Sequence, residues 1–261
     1  MRLTARMDVP HAPYSTEDLA WVHHQGFGFH AEGCAEEILR LLEPVRDRGG
    51  VVLELGCGSG LLTRHLLDAG LQVIATDASP AMLGIARTVV GDAAEIRQLV
   101  LPDDPLPPAD AVISVGHCLN YLADEASVWR GLQAIAGALR PGGILAIDLC
   151  DLRWGALRRD QPPGAWLADD WAIITAFSTP TTATYVRDIT TFRRTPDGSW
   201  RRRDERHHNV LVDTSRVPDL LAEHGVRATM RGALGDYELP AGLVAVVGER
   251  TATSHTGASA P

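Results

Sequence analysis

Three glycines at alternate positions, directly after a short apolar run, form the first chemical signal of this chain. The run covers residues 51–55, and Gly56, Gly58 and Gly60 follow it. A strand buried in a parallel sheet is apolar along its length, and leucines at helical spacing come after the glycines. Glycine reaches positive φ at no steric cost and lets a ligand approach the backbone. The segment therefore predicts a strand, a ligand-binding turn and a helix whose first N–H groups favour an anion.

Asp77 adds an acidic group near the end of the next apolar run, residues 71–75. A carboxylate about 20 residues beyond the first glycine is placed to bind the hydroxyls of a ribose. The two features together favour a cofactor that contains a nucleoside. The dinucleotide fingerprint fits poorly, because Leu61 stands where a third small residue is required. A lysine-containing phosphate loop is also absent from the sequence.

The two segments as a pair closely resemble the class I S-adenosylmethionine-dependent methyltransferases. They read Glu54-Leu-Gly-Cys-Gly-Ser-Gly60 and Ala75-Thr-Asp77-Ala-Ser-Pro-Ala-Met-Leu83. The resemblance spans about residues 51–147, with a weaker return near the C-terminus. It implies S-adenosylmethionine as the cofactor, with the glycines beside its methionine and ribose portion. Glu54 would then hold the methionyl amine, directly or through water, and Asp77 would bind the ribose hydroxyls.

The resemblance also implies which other residues contact the cofactor. The full expected set is Tyr14, Trp21, Glu54, Gly56, Cys57, Gly58, Gly60, Asp77, Ala78, Met82, Leu101 and Gly116. Family members often carry an acidic residue just after the third strand, near the adenine. This chain departs from that pattern with Leu101-Pro102-Asp103-Asp104, so Leu101 is expected as a backbone or packing contact and Asp103 as the polar candidate.

An aromatic-rich segment precedes the cofactor strand and contains Tyr14, Trp21 and Phe27. The pattern alone fits two small helices packed onto the sheet. In the resembling family this region usually covers the cofactor and the substrate, which favours a lid. A ring over the cationic sulfur would contribute a cation–π contact of roughly 0.5 to 2 kcal/mol.

Residues 114–121 follow the fourth predicted strand, at the edge where a doubly wound sheet binds its ligands. His117 is predicted either as a general base, because an unperturbed histidine titrates near neutrality, or as a positioning residue. Gly116 would allow the backbone to approach the cofactor. Asn120 and Tyr121 either orient the acceptor or cap the next helix and fill the core.

Residues 49–150 show a βαβ rhythm, which implies parallel strands with right-handed crossovers. The expected strands are 51–55, 72–76, 95–101, 109–115 and 143–149, and the expected helices are 61–69, 80–90 and 125–139. The resemblance adds a reversed last hairpin over 227–232 and 243–249. The predicted fold class is therefore α/β, a Rossmann-like doubly wound seven-stranded sheet with one antiparallel strand near the C-terminus.

Three β-rich runs, residues 171–178, 182–193 and 200–212, interrupt this rhythm and predict a small antiparallel sheet. In the last run, alternation places Glu205 and His207 on one face and His208 on the other. The charged residues on these faces fit either a solvent-exposed sheet stabilised by ion pairs or a platform that binds the acceptor. On the second reading His207 or His208 lies near the transferred methyl group.

These patterns divide the chain into five predicted regions. Residues 1–48 form a mobile arm and a helical cap, with helices starting at Ser15 and over 31–45. The remaining regions are the cofactor-binding core 49–150, the β-rich insert 151–212 (a substrate platform or an oligomer contact), the C-terminal helix and closing strands 213–250, and a disordered tail 251–261.

The composition is that of an ordinary soluble globular protein of 261 residues. Its net charge of −9 argues against a nucleic-acid partner held by a large basic surface. No segment approaches the roughly 18 to 20 apolar residues of a membrane span. The four cysteines lack C-x-x-C spacing, so no metal site is predicted. We expect a cytoplasmic monomer or homodimer with no membrane partner.

The resemblance implies methyl transfer to a nitrogen or oxygen atom of a small-molecule acceptor. The acceptor-side candidates are Phe27, Asn120, Tyr121 and His208, and the catalytic candidates are His117 and His207. The layout, together with Leu119-Asn120-Tyr121, is similar to that of amino-sugar N-methyltransferases. Two alternatives stay open: a catalytically inactive S-adenosylmethionine-binding sensor or subunit, and an NAD(P)-dependent oxidoreductase.

Overall fold

The structure is a computed structural model that describes residues 14–251. The predicted mobile arm (residues 1–13) and all but the first residue of the predicted tail (residues 252–261) lie outside the described residues. The helices are α1 Glu17–Gly26, α2 Phe29–Leu41, α3 Glu43–Asp47, α4 Leu61–Asp68, α5 Pro80–Val90, α6 Glu125–Ala138, α7 Leu152–Arg158 and α8 Val217–Glu223.

The strands fall into two sheets and one short hairpin. They are β1 Val51–Leu55, β2 Gln72–Asp77, β3 Glu95–Gln98, β4 Ala109–Ser114, β5 Leu139–Cys150, β6 Gly164–Leu167, β7 Trp171–Thr181, β8 Thr184–Arg194, β9 Trp200–Val210, β10 Val226–Arg231, β11 Ala233–Leu234, β12 Tyr237–Glu238 and β13 Leu243–Arg250. Among the described helices, none combines the length and apolar composition required to cross a membrane.

The larger sheet has seven strands in the order β10-β13-β5-β4-β1-β2-β3. β1 runs parallel to β2 and β4, and β4 runs parallel to β5. β13 lies antiparallel to both β5 and β10, so it is the one reversed strand. The predicted Rossmann-like α/β fold class is confirmed. The carboxyl ends of β1, β2, β4 and β5 consequently meet along one edge.

Helices cover both faces of this sheet, which explains why its strands are apolar on both sides. Val52 points into a core with Ile38 of α2 and Leu66 of α4. Its neighbour Leu53 points the other way, into a core with Leu132 of α6 and residues of α8. The two cores hold the carboxyl edge of the sheet rigid.

Several predicted boundaries were wrong for identifiable reasons. β3 ends at Gln98 rather than at residue 101, because the chain turns there and the Val100 N–H donates to Asp104 at 2.7 Å. The helix expected over 31–45 divides into α2 and α3, with Pro44 in the first turn of α3. β5 begins at Leu139, four residues before the expected start at residue 143.

The second sheet, β6-β7-β8-β9, is antiparallel throughout and occupies the predicted β-rich insert. Prediction missed α7 and β6, which lie in the stretch read as a long irregular excursion. That stretch carries no sustained periodicity, so its short elements depend on packing against β7 and the core.

The start of α1 joins the two sheets. Thr16 donates from its N–H and its hydroxyl to the carboxylate of Glu205 on β9, at 3.2 and 2.5 Å. On the other side, the Ser79 hydroxyl donates to the Ser15 carbonyl at 2.6 Å. The predicted capping role of Ser15 is wrong, since Thr16 occupies the N-cap position and makes no side-chain cap bond.

Asp18 secures the same helix to the insert. Its side chain is 2% exposed and accepts from Arg201 Nε at 2.7 Å, with Arg193 at 3.5 Å. Burial acts to raise the pKa of Asp18, but the hydrogen bond and charge of Arg201 hold it below its ordinary value. The stabilisation is therefore present above the ordinary aspartate pKa and is lost as the pH falls through the lowered value.

Replacing Asp18 by asparagine should lower the free energy of unfolding by about 1 to 3 kcal/mol, because buried hydrogen bonds to a charged group are lost. Urea titration at neutral pH measures this change. Asp47→Asn is the control, since Asp47 pairs with Arg46 on an exposed surface and should change stability by less than about 0.5 kcal/mol. Equal effects of the two substitutions would contradict the role given to Asp18.

Candidate active site

A cavity of about 1130 Å³ opens at the carboxyl edge of the seven-stranded sheet. Its wall combines the loops after β1, β2 and β4 with α1 and with the inner face of the insert sheet. Such an edge is where doubly wound folds bind their ligands. Because three separate parts of the chain close around it, the cavity can hold two ligands end to end.

The glycine loop forms one wall. Gly56 has φ +69°, and a Cβ atom there would lie 2.7 Å from Cβ of Cys118. Gly56, Cys57 and Gly58 line the cavity as predicted, but Gly60 does not. Gly60 instead has φ +83° at the start of α4, where a Cβ would meet Ala86 of α5 at 3.3 Å. Gly60 thus lies where α4 and α5 pack closely, and its predicted cofactor contact stays a prediction outside the cavity lining.

Asp77 both shapes this loop and faces the cavity. One carboxylate oxygen accepts from the Gly58 N–H at 2.9 Å, and the other accepts from the Ser79 N–H at 2.8 Å. Each oxygen keeps further acceptor capacity. Burial raises the pKa of Asp77, and the backbone donors offset part of that shift. The arrangement fits a ribose diol, which would supply donors to the remaining lone pairs.

Glu54 lies at the base of the cavity and is 3% exposed. Its carboxylate accepts from the Thr63 hydroxyl at 2.6 Å. Burial, with a further contribution from the negative charge of Asp77, raises the pKa of Glu54 to about 7. Within the described residues, the side-chain donor to this carboxyl group is the uncharged Thr63 hydroxyl. A methionyl ammonium group would supply a cation, so the residues present fit the cofactor.

Most of the other predicted cofactor residues line the same cavity. They are Tyr14, Ala78, Met82, Leu101 and Gly116.

Trp21, also predicted to contact the cofactor, does not line the cavity, and the phase of α1 explains why. Leu19, His23 and Phe27 recur at four-residue spacing and face the cavity. Trp21 lies two residues from Leu19 and therefore on another side of the helix. Its ring packs against the insert, with the guanidinium of Arg193 4.1 Å above it.

Two predicted acceptor residues also lie elsewhere. Asn120 is buried, donates to the Cys150 carbonyl at 3.1 Å and accepts from the Cys150 N–H at 2.8 Å. Its amide therefore ties the segment after β4 to β5. His208 is exposed on the face of β9 opposite to His207, as the period-2 alternation requires. Phe27 and Tyr121 line the cavity as predicted.

His117 reaches the cavity but lacks the features of a base. It has φ +50°, and its ring stacks on Tyr121 with centroids 6.0 Å apart. Nδ1 is buried and has no hydrogen-bond partner among the described residues. Burial, with a further contribution from the positive charge of Arg187, lowers the pKa of His117 to about 4. The imidazole is thus neutral and weakly basic at neutral pH, which favours the positioning role.

Asp148 is a residue that sequence reasoning missed. Its side chain is fully buried at the end of β5. The N–H groups of Gly116 and His117 donate to it at 2.9 and 2.5 Å, and His30 Nε2 lies 2.8 Å away. The available signal was a lone acidic residue at the carboxyl end of an apolar strand. Asp148 fixes the loop that carries His117 and anchors α2 beside it.

Two arginines on the cavity wall were missed as well. Arg187 of β8 donates to the Tyr121 hydroxyl, and Arg158 of α7 stacks 3.3 Å over the ring of Trp154. Within the described residues, the insert contributes these two arginines to the wall and no carboxylate. The wall carboxylates are Glu54, Asp77, Asp103 and Asp124, all from the core. The signal for Arg187 was its inward phase in an alternating strand.

In the part of the chain that the structure describes, no group of three or more His, Cys, Asp or Glu side chains is placed to hold a metal ion. The cavity instead offers an acidic, glycine-lined half and an aromatic, arginine-bearing half. This division suits a cationic cofactor beside a separate small molecule.

Residues 52–143 match the protein family described as a methyltransferase domain. This part of the chain is a methyltransferase domain, and the predicted resemblance to methyltransferases is thereby confirmed.

Two curated relatives resemble parts of the chain. The malonyl-[acyl-carrier protein] O-methyltransferase of Pectobacterium atrosepticum is 33% identical over 133 residues, 47% of this chain and 50% of that protein. The dTDP-3-amino-3,6-dideoxy-alpha-D-glucopyranose N,N-dimethyltransferase of Streptomyces fradiae is 29% identical over 144 residues, 53% of this chain and 55% of that protein. The chain thus spans about half the length of these relatives.

A solved structure shows the same fold over most of both chains. It is the S-adenosylmethionine-bound amino pentose methyltransferase CalS10 of Micromonospora echinaspora, with a TM-score of 0.68 and 17% identity. The match covers 91% of this chain and 98% of that one. At this identity the likeness supports the methyltransferase fold, including the insert.

Asp77→Asn should weaken the binding of S-adenosylhomocysteine about 10- to 100-fold, because charge-assisted hydrogen bonds worth about 1.5 to 3 kcal/mol are lost. Asparagine keeps one oxygen for a loop N–H, so the melting temperature should change little. Calorimetry measures the affinity, and Asp92→Asn, at an exposed site after α5, is the control. Affinity within about twofold of wild type would refute the ribose contact.

The affinity for S-adenosylhomocysteine should also fall as the pH drops below about 7, the raised pKa of Glu54. Below that pH the free protein carries a proton on Glu54, which must leave before the carboxylate can pair with the methionyl ammonium. The expected loss approaches about tenfold per pH unit. Glu54→Gln should bind more weakly at pH 8 and show a flat profile. A parallel slope in both proteins would exclude Glu54 as its source.

Proposed function

We propose that this methyltransferase transfers the methyl group of S-adenosylmethionine to the amino nitrogen of a small acceptor that carries a negative charge. The fitting acceptor class is an amino sugar linked to a nucleoside diphosphate. The observation that carries the proposal is the acceptor half of the cavity, where the insert contributes Arg158 and Arg187 and no carboxylate from the described residues.

The positive charge of the two arginines on the cavity wall favours both the anionic group and the neutral amine of such an acceptor. A phosphate or carboxylate on the acceptor would pair with arginine, whose planar guanidinium suits such groups. The same positive charge makes a protonated amine unfavourable beside Arg187. The acceptor amine is thereby kept neutral, with its lone pair available.

S-adenosylmethionine, held by Glu54, Asp77 and the glycine loop, would supply a methyl group on a cationic sulfur, and the acceptor nitrogen would need its lone pair aligned with that methyl group. Such a transfer depends mainly on orientation. The chain provides this with the glycine loop on one side and Phe27, Tyr121 and Trp154 around the other. Tyr14 also lines the cavity.

The names of two similar proteins support an amine as the methyl acceptor. The relative from Streptomyces fradiae is named for a dTDP-linked 3-amino sugar, and CalS10 is named for an amino pentose. The relative from Pectobacterium is named as an O-methyltransferase, which makes an oxygen acceptor the second candidate.

The test is methyl transfer from labelled S-adenosylmethionine to the dTDP-3-amino sugar named for the relative. The free amino sugar without its nucleotide should react with at least about tenfold lower kcat/KM, since it loses the charged contacts. The matching sugar with a hydroxyl in place of the amine should not react. Equal reaction of all three compounds, or preference for the hydroxyl sugar, would overturn the proposal, and cofactor binding without turnover would favour the sensor alternative.

Arg158→Gln should raise the KM of the dTDP-amino sugar about tenfold, because Arg158 faces the cavity and a charged contact is lost. Its neighbour Arg159 is exposed, so Arg159→Gln is the matched control and should leave the KM unchanged. The proposal fails at this residue if both variants behave alike.

A further inference from the structure

Three side chains form a continuous line of hydrogen bonds from the cavity into the insert. Tyr121 lines the cavity, and its hydroxyl lies 3.3 Å from Nδ1 of His207. Nε2 of His207 lies 3.1 Å from the carboxylate of Glu205. His207 and Glu205 are buried, with 1% and 5% exposure. Tyr121 and His207 both line the cavity, whereas Glu205 lies behind them, outside the lining.

The partners of Glu205 fix the direction of this line. An ionised carboxylate only accepts hydrogen bonds, and Glu205 already accepts two from Thr16. The ring nitrogen Nε2 of His207 must therefore carry the hydrogen. Nδ1 keeps its lone pair and accepts from the Tyr121 hydroxyl, since the bond at one ring nitrogen sets the tautomer at the other.

Arg187 acts on the cavity end of the same line. Its guanidinium donates to the Tyr121 hydroxyl oxygen and lies 5.5 Å from the centre of the Tyr121 ring. The Tyr121 hydroxyl is thus held between a guanidinium that donates to its oxygen and a ring nitrogen of His207.

Glu205 has a structural task, because it accepts from Thr16 and attaches α1 to the insert. That task does not require a buried histidine beside it. An apolar side chain can fill this face, as Ile189 does opposite Glu205 on the neighbouring strand. The buried Glu205–His207 pair repeats the base-and-orienter arrangement found in general-base catalysis.

We propose that Tyr121, His207 and Glu205 form a proton relay that takes the proton released by the acceptor nitrogen; this rests on the proposed function. As the N–H bond breaks, its electron pair stays on nitrogen and the proton moves to the Tyr121 oxygen. The original Tyr121 hydroxyl proton moves to Nδ1 of His207. The imidazolium that results pairs with Glu205, and after product release the proton returns through Tyr121 to water in the cavity.

Tyr121 is the catalytic residue of this relay, because it lines the cavity and would contact the acceptor nitrogen directly. His207 and Glu205 are positioning residues that act through Tyr121. His117 stacks on Tyr121 from its other side and holds the ring in place. The relay accounts for two histidines near one acceptor site with different tasks.

The first test determines which ring nitrogen of His207 carries the hydrogen, and it needs no acceptor. Nitrogen-15 NMR of histidine-labelled protein saturated with S-adenosylhomocysteine should show His207 with a hydrogen on Nε2 and none on Nδ1. Tyr121→Phe should shift the Nδ1 signal, because its hydrogen bond is lost. A hydrogen on Nδ1, or an unchanged signal in the variant, would overturn the proposal in the wild-type fold itself.

The second test uses methyl transfer to the dTDP-amino sugar. Tyr121→Phe and Glu205→Gln should lower kcat, by roughly 100-fold for Tyr121→Phe, and change KM by no more than about threefold. In wild type, kcat should fall as acid protonates His207, and His207→Gln should lose this dependence. His208→Gln, on the opposite face of the same strand, should keep the wild-type profile. An acid limb that persists in His207→Gln would refute the relay.

The two tests separate this inference from the proposed function. If wild type does not methylate the amino sugar, the proposed acceptor is wrong, while the NMR result still decides the direction of the relay. If wild type is active and the three relay variants match it, the acceptor class stands and the relay is wrong.

Discussion

The carboxylate of Asp148 lies at the carboxyl end of β5 with none of its surface exposed. It accepts from the N–H groups of Gly116 and His117, and the ring of His30 lies within hydrogen-bond distance. A carboxylate buried this deeply is tolerated only when its oxygens are satisfied. The loop after β4 and the start of α2 must therefore stay in register with the sheet, and the cavity keeps its shape through that requirement.

The acidic and basic side chains of the cavity wall lie in separate halves. Core strands contribute Glu54 and Asp77, which suit a cationic cofactor, whereas the insert contributes Arg158 and Arg187. The two halves belong to different sheets, so their sequences can change independently. A common cofactor half with a variable acceptor half is consistent with relatives named for different acceptors.

Sequence reasoning succeeded where chemistry is encoded locally. The strand, the glycines and Asp77 lie within a short span, and their order alone predicts the βα turn and its ligand. It failed at Trp21, because helix phase depends on where α1 begins, and at Asn120, whose partner on β5 is 30 residues away. Asp148 and Arg187 each had a weak local signal, but their roles depend on contacts with distant segments, which one sequence does not reveal.

Two adjacent residues at the start of α1 tie together parts of the protein that have no sequence connection. Ser15 accepts from Ser79, two residues beyond Asp77, and Thr16 donates to Glu205 of β9. A displacement of this segment would break both attachments at once. The position of the loop after β2 is therefore coupled to the position of the insert sheet.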